Sequence, residues 1–266
     1  MSQHVHLRTA NFHYLRSLPP QHFQWLRVDA NDNCNLKCIY CRVPRSENMI
    51  GKGELEAYFA ENVLGVDNLQ FGCGMEPTID ARLADLIEMA ASSNANPGNR
   101  FALQTNGLML HQHDLERFKQ AGLNLLSVSM DSTHSQTHRQ LRGGSSVEKI
   151  IRNLRSFRST CPEISLQILT VVTKLNIDDA ESLAEFAIEL GAKRMVYREM
   201  VYLPESQNID HEQVRELIVP PGAFLAMRDR VLQQHEGKIQ FSFLGTEHLK
   251  DYGKKSRANS YPQVSR

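Results

Sequence analysis

The chain has 266 residues, 41% of them hydrophobic and 23% charged, with 30 basic side chains balancing 30 acidic ones. This is length enough for one domain with a sizeable core, and zero net charge gives no general pull toward nucleic acid or an anionic membrane surface. No run reaches the length of a membrane span, and an odd count of five cysteines does not suit a secreted disulfide scaffold.

Residues 1–22 read as an N-terminal extension. Met1 to Asn11 carry histidines and an arginine where a signal peptide needs an apolar stretch, so a cytoplasmic location is expected. His4, His6, His13 and His22 lack paired or helical spacing and are expected in solvent. The first strand is predicted over Phe23–Asp29, with Trp25 in the core. It is followed by Cys34, Cys38 and Cys41 within eight residues. Apolar spacing then predicts a helix over Glu54–Val63, a strand over Asn68–Phe71, and a helix over Ala81–Ala91. Next come a strand over Arg100–Thr105, a helix over Asp114–Ala121 closed by Gly122, and a strand over Leu125–Met130. A helix over Val147–Phe157 carries Ile150, Ile151, Leu154 and Phe157. Arg139, Arg142, Lys149, Arg152, Arg155 and Arg158 form a basic run, mostly the wet face of that helix. A strand over Ile164–Val172, a helix over Ala180–Leu190 and a strand over Arg194–Met200 follow. Tyr202–Gln213 has little pattern beyond a short helix. A helix over Pro220–Gln234 and a strand over Ile239–Leu244 close the sequence of elements, and residues 246–266 form a polar tail. Alternation of this kind implies an α/β protein with parallel strands and right-handed crossovers, either TIM-like or doubly wound.

The clustered thiols point to metal. A structural zinc site needs four closed ligands. Here Cys73 and Cys161 stand apart, with no short Cys/His pair beside them. Ferredoxin-type clusters use four thiolates at other spacings. Three thiolates leave one iron of a 4Fe–4S cubane without a protein ligand, the open position that catalysis requires.

Cys34-x-x-x-Cys38-Ile39-Tyr40-Cys41 resembles the cluster loop of the radical S-adenosylmethionine (radical SAM) enzymes. Further motifs follow in the family's order. Gly72-Cys73-Gly74-Met75-Glu76-Pro77 is similar to the Gly-Gly-Glu-Pro motif, with Met75 in place of the second glycine. Thr105-Asn106-Gly107 resembles the branch that holds molybdopterin-precursor cyclases and peptide-modifying enzymes. Ser129, at the end of the fourth strand, matches a serine that binds the cofactor, and Asn176 matches an asparagine near the adenosine.

The resemblance implies a partial TIM-type (β/α)6 barrel over residues 23–245. It implies one 4Fe–4S cluster on Cys34, Cys38 and Cys41, with S-adenosyl-L-methionine chelating the fourth iron. Tyr40, Gly74, Met75, Glu76, Gln104, Asn106, Ser129, Arg142 and Asn176 become cofactor contacts, with Arg139 a second choice for Arg142 and Glu76 a partner for the cofactor's ammonium. Tyr197, Arg198 and Glu199 become substrate contacts. Reductive cleavage to a 5′-deoxyadenosyl radical and hydrogen abstraction from a peptide or small natural product are then expected, leading to epimerisation, crosslinking, rearrangement or dehydrogenation. The resemblance also implies an electron donor such as a flavodoxin or ferredoxin. Cys73 reads either as a packing thiol or as a hydrogen-atom donor, and Cys161 as structural. No cysteine follows Cys161, so a C-terminal domain with auxiliary clusters is not expected. A glycyl-radical-enzyme activating protein and a non-enzymatic iron–sulfur carrier or sensor are the alternatives.

Overall fold

The computed structural model describes residues 4–95 and 100–245; the polar tail expected over 246–266 lies outside the described residues. Eight parallel strands form one sheet. In spatial order they are β1 (His4–Leu7), β3 (Trp25–Val28), β5 (Asn68–Phe71), β6 (Arg100–Thr105), β7 (Leu125–Ser129), β8 (Ser165–Val172), β9 (Arg194–Glu199) and β10 (Gln240–Leu244). β2 (Gln21–Phe23) and β4 (Val63–Val66) make a separate parallel pair. From β3 onward the strands fall in sequence order, as right-handed βαβ units require. β1 and β10 are the edges, so the sheet is an open, partial barrel.

Two sequence expectations change. The N-terminal extension supplies an edge strand: β1 pairs with β3 from His4 beside Trp25 to Leu7 beside Val28. The first predicted strand is divided at Gln24, with Phe23 in the small sheet and Trp25 in the large one.

Helices α1 (Thr9–Arg16), α2 (Lys52–Asn62), α3 (Leu83–Ala90), α4 (Leu115–Gln120), α6 (Val147–Thr160), α7 (Ala180–Glu189) and α9 (Ala223–His235) pack on the main core, whereas Leu141 of α5 (Ser135–Leu141) and Val214 of α8 (His211–Glu216) join a second apolar cluster with Ile39 and Tyr40. α6 shows how sequence makes these elements. Ser146 caps it, its Oγ accepting from Lys149 N–H at 3.3 Å. Val147, Ile150, Leu154 and Phe157 then recur at helical spacing and are buried. Each buried side chain of this size contributes about 1.5–3 kcal/mol. Strand alternation does the complementary work: on β7, Leu126 and Val128 join the apolar core while Ser127 and Ser129 face a cavity on the inner side. Among the described residues no helix is long and apolar enough to cross a membrane.

Candidate active site

The cysteine loop leaves the C-terminal end of β3 and runs to α2, across the mouth of the barrel. Cys34, Cys38 and Cys41 are all half-buried. Burial raises the pKa of the Cys34 thiol and pushes Cys38 up to about 11; Cys34 also feels the charge of Cys41, and Cys38 those of Cys41 and Cys34. A thiol held this way needs a cation before it becomes a thiolate, so the donor set fits metal better than free nucleophilic chemistry. Among the described residues no three His, Cys, Asp or Glu side chains converge on a single ion. A cubane places each thiolate on a different iron, so its ligands stand farther apart than those around one ion.

Three contacts hold the loop. Ile39 N–H donates to Leu141 O at 3.1 Å. Asn106 Nδ2 donates to Asn35 Oδ1 at 2.7 Å. Gly143 adopts φ +58°, and a Cβ there would lie 2.3 Å from Lys37 O, so only glycine permits this approach. The Asn106 side chain therefore orients the cysteine loop.

Next to the loop lies a buried charged set. Arg142 spans Asp131 with Nε–Oδ2 at 2.7 Å and Nη2–Oδ1 at 2.9 Å. The Tyr40 hydroxyl donates to the same carboxylate, and the guanidinium lies 5.8 Å from the Tyr40 ring centroid. Burial raises the Tyr40 pKa, so the phenol is a donor here. Arg142 also lines the cavity, whereas Arg139 is exposed on α5.

The cavity has a volume of about 570 Å³ and occupies the inner face of the sheet. Gln104, Ser129, Arg142, Arg198 and Cys73 from the expected site line it. Cys73 is exposed toward this space, which removes the reading of a packed core thiol. Burial of its surroundings still raises the thiol's pKa. Cys161 is buried in the core, with Sγ 3.6 Å from Leu115 O.

A residue the sequence reading missed sets the β5 loop. Asp29, buried at the end of β3, accepts from Cys73 N–H and Gly74 N–H at 2.9 Å each and from Met75 N–H at 3.5 Å. His6 Nε2 contacts the same carboxylate at 2.7 Å, so this histidine is not in free solvent as expected. In a trans peptide the carbonyl points opposite to the following N–H, so the Cys73 and Gly74 carbonyls face away from Asp29.

Five residues sit differently from expectation. Glu76 does not present a free carboxylate: it accepts from Thr78 N–H at 3.0 Å, and from Thr78 Oγ1, Thr105 Oγ1 and Asn106 N–H at 2.6 Å each. Asn176 is equally engaged, donating to Asp131 O and Val171 O and accepting from Thr173 N–H and Oγ1. Tyr197 is buried on the outer side of β9, its hydroxyl donating to Ala180 O at 2.6 Å. Glu199, two residues on, shares that side of the strand. Trp25, expected in the core, is half-buried and lines the cavity.

An open parallel barrel with a three-cysteine loop over its C-terminal mouth defines a class of cluster-dependent α/β proteins. The family model of the radical SAM superfamily matches residues 30–187, and the chain belongs to that superfamily. Its members use a 4Fe–4S cluster and S-adenosylmethionine. The chain is 29% identical over 187 residues to an AdoMet-dependent heme synthase from Methanosarcina barkeri, covering 68% of this chain and 51% of the relative. It is 24% identical to a GTP 3′,8-cyclase from Alkaliphilus oremlandii, covering 66% of this chain and 56% of the relative. It thus spans about half the length of these curated relatives. Among solved structures it resembles Streptococcus suis SuiB bound to S-adenosylmethionine, with TM-score 0.65 and 18% identity over 85% of this chain and 51% of SuiB. It also resembles anSMEcpe with bound AdoMet, with TM-score 0.60 and 19% identity over 82% of this chain and 63% of that one.

Proposed function

We propose that this chain reductively cleaves S-adenosylmethionine and abstracts a hydrogen atom from a peptide or small natural-product substrate. The observation that carries this reading is the cysteine loop beside a 570 Å³ cavity that also receives Ser129, Arg142 and Cys73. Cys34, Cys38 and Cys41 would hold a 4Fe–4S cluster. Ser129, Gln104, Arg142 and the Cys73 and Gly74 carbonyls would hold S-adenosylmethionine. When bound, the cluster supplies the electron that releases a 5′-deoxyadenosyl radical.

The chain's own residues prepare that space. Asp29 fixes the β5 loop so that its carbonyls are presented to the ligand. Asp131 holds the Arg142 fork and the Tyr40 ring in place. Glu76 and Asn176 serve as positioning residues, Glu76 joining the β5 and β6 loops and Asn176 joining the β7 and β8 ends. The barrel wall shields the reacting carbon from water. An electron donor such as a flavodoxin or ferredoxin would supply the reducing equivalent. SuiB, a structural neighbour, has been crystallised with its precursor peptide SuiA, which supports keeping a peptide among the substrates.

Electron paramagnetic resonance tests the reading. The spectrum of dithionite-reduced protein is expected to change when S-adenosylmethionine is added. An unchanged spectrum at saturation contradicts cofactor binding at the cluster.

A further inference from the structure

Five arginines line the cavity, and among the described residues that line it there is no aspartate or glutamate. Arg142 is committed to Asp131. Arg27 on β3, Arg100 on β6, and Arg194 and Arg198 on β9 line the cavity as well. Strand alternation places them: Trp25 and Arg27 share the inner face of β3, and Arg194 and Arg198 share that of β9.

Three of these arginines gather at the N-terminal end of the barrel, the floor of the cavity. Arg27 and Arg100 each place their Cζ 5.3 Å from the Trp25 ring centroid. Arg194 Nε donates to Ser242 Oγ at 3.1 Å. The Arg100 pKa is lowered, first by burial and then by the charges of Arg194 and Arg27, so Arg100 feels both other guanidiniums. Nearer the mouth, the Cys73 thiol feels the Asp29 carboxylate first and then Arg27 and Arg198.

Like charges gathered in a partly enclosed space repel, and the repulsion strengthens as water is displaced. Stacking on Trp25 accounts for the placement of two of the guanidiniums. It does not account for Arg194 or Arg198, nor for the lack of acids. The guanidinium fork matches carboxylate and phosphate oxygens, and a bound oxyanion would relieve the repulsion.

We propose that the cavity takes an anionic substrate whose oxyanion group, a carboxylate or a phosphate, is held at the floor by Arg27, Arg100 and Arg194. The reacting carbon then lies toward Cys73 and Ser129. That orientation rests on the function proposed above, whereas the anion site stands on the arginines alone.

Trp25 is the single tryptophan of the chain, so its fluorescence reports on this floor. Reconstituted protein is titrated anaerobically with inorganic phosphate and, separately, with succinate, at constant ionic strength against chloride. A saturable change in Trp25 emission is expected with one of them, and which one saturates identifies the oxyanion. Arg194→Gln leaves both Trp25 contacts in place and is expected to raise the half-saturation concentration about tenfold, the loss of one charged hydrogen-bonding partner. No saturation beyond the chloride control, or an unchanged half-saturation in Arg194→Gln, overturns the proposal. Saturation in a protein whose reduced spectrum ignores S-adenosylmethionine supports the floor site and counts against the proposed function instead.

Discussion

Arg142 lies across both oxygens of Asp131, at 2.7 and 2.9 Å, with the carboxylate completely buried. Because the Tyr40 hydroxyl shares that carboxylate, one buried anion ties the cysteine loop to the residue that follows α5. Removing one partner leaves the other charge uncompensated in the interior, at a cost of about 3–5 kcal/mol. Asp131→Ala is expected to lower the denaturant midpoint accordingly. The double variant Asp131→Ala/Arg142→Met is expected to recover part of the loss, a coupling read directly from the double-mutant cycle.

The glycine pair after Arg142 separates steric need from backbone freedom. A Cβ on Gly143 would meet Lys37 O at 2.3 Å, whereas one on Gly144 meets nothing within 4 Å. Both have positive φ, so alanine costs about 1 kcal/mol or more of backbone strain at either site. Gly143→Ala is expected also to displace the cysteine loop and reduce the iron retained after anaerobic reconstitution. Gly144→Ala is expected to retain wild-type iron. Equal iron in the two variants would show that the Lys37 contact does not set the loop.

His138 gives the fold a dependence on pH. Burial, reinforced by the charge of Arg142, lowers its pKa from 6.5 to about 4. The native state therefore binds fewer protons than the unfolded chain between those values. Stability from this group is complete above pH 6.5 and is lost as pH falls toward 4. Between pH 7.5 and 5.5 the loss is about 1.4 kcal/mol. Urea unfolding of wild type and His138→Gln at the two values measures it, and the variant is expected to lack this component. The same fall in both proteins would assign the pH dependence to other groups.

Much of this architecture is legible in the sequence, for identifiable reasons. β5 to β10 and their helices have apolar runs of distinct period, as in β8 and α6. β1 escapes notice because four residues with two histidines make a weak strand signal, and pairing with β3 supplies what the local sequence lacks. The cysteine loop is legible because ligand spacing is local. Asp29 and Asp131 are not, since a lone carboxylate at a strand end has no pattern until the fold brings loops to it. Glu76 and Asn176 show the converse. Their motifs fix their positions, but the donors and acceptors they engage, Thr105 and Asn106 for one and Asp131 and Thr173 for the other, become visible only in three dimensions. The arginines of the floor carried a usable signal. Trp25 and Arg27, and Arg194 and Arg198, are spaced to share an inner strand face.

Cys73 faces the cavity from the β5 loop. If it returns hydrogen to the substrate radical, product formed in heavy water carries solvent deuterium, because thiol hydrogens exchange. Cys73→Ala is then expected to continue cleaving S-adenosylmethionine while yielding unquenched or aberrant products. Normal, fully deuterated product from the variant would assign the donation to another group.

The central claim is that Cys34, Cys38 and Cys41 carry a cluster that cleaves S-adenosylmethionine. Its most direct test is to quantify iron, sulfide and 5′-deoxyadenosine in anaerobically reconstituted, dithionite-reduced protein. About four irons and four sulfides per chain are expected for a cubane, with 5′-deoxyadenosine formed by the wild type and by Cys161→Ala. Alanine at all three loop cysteines should abolish both cluster and product. Full cluster content in that triple variant, or a fully loaded wild type that forms no 5′-deoxyadenosine, would contradict the claim.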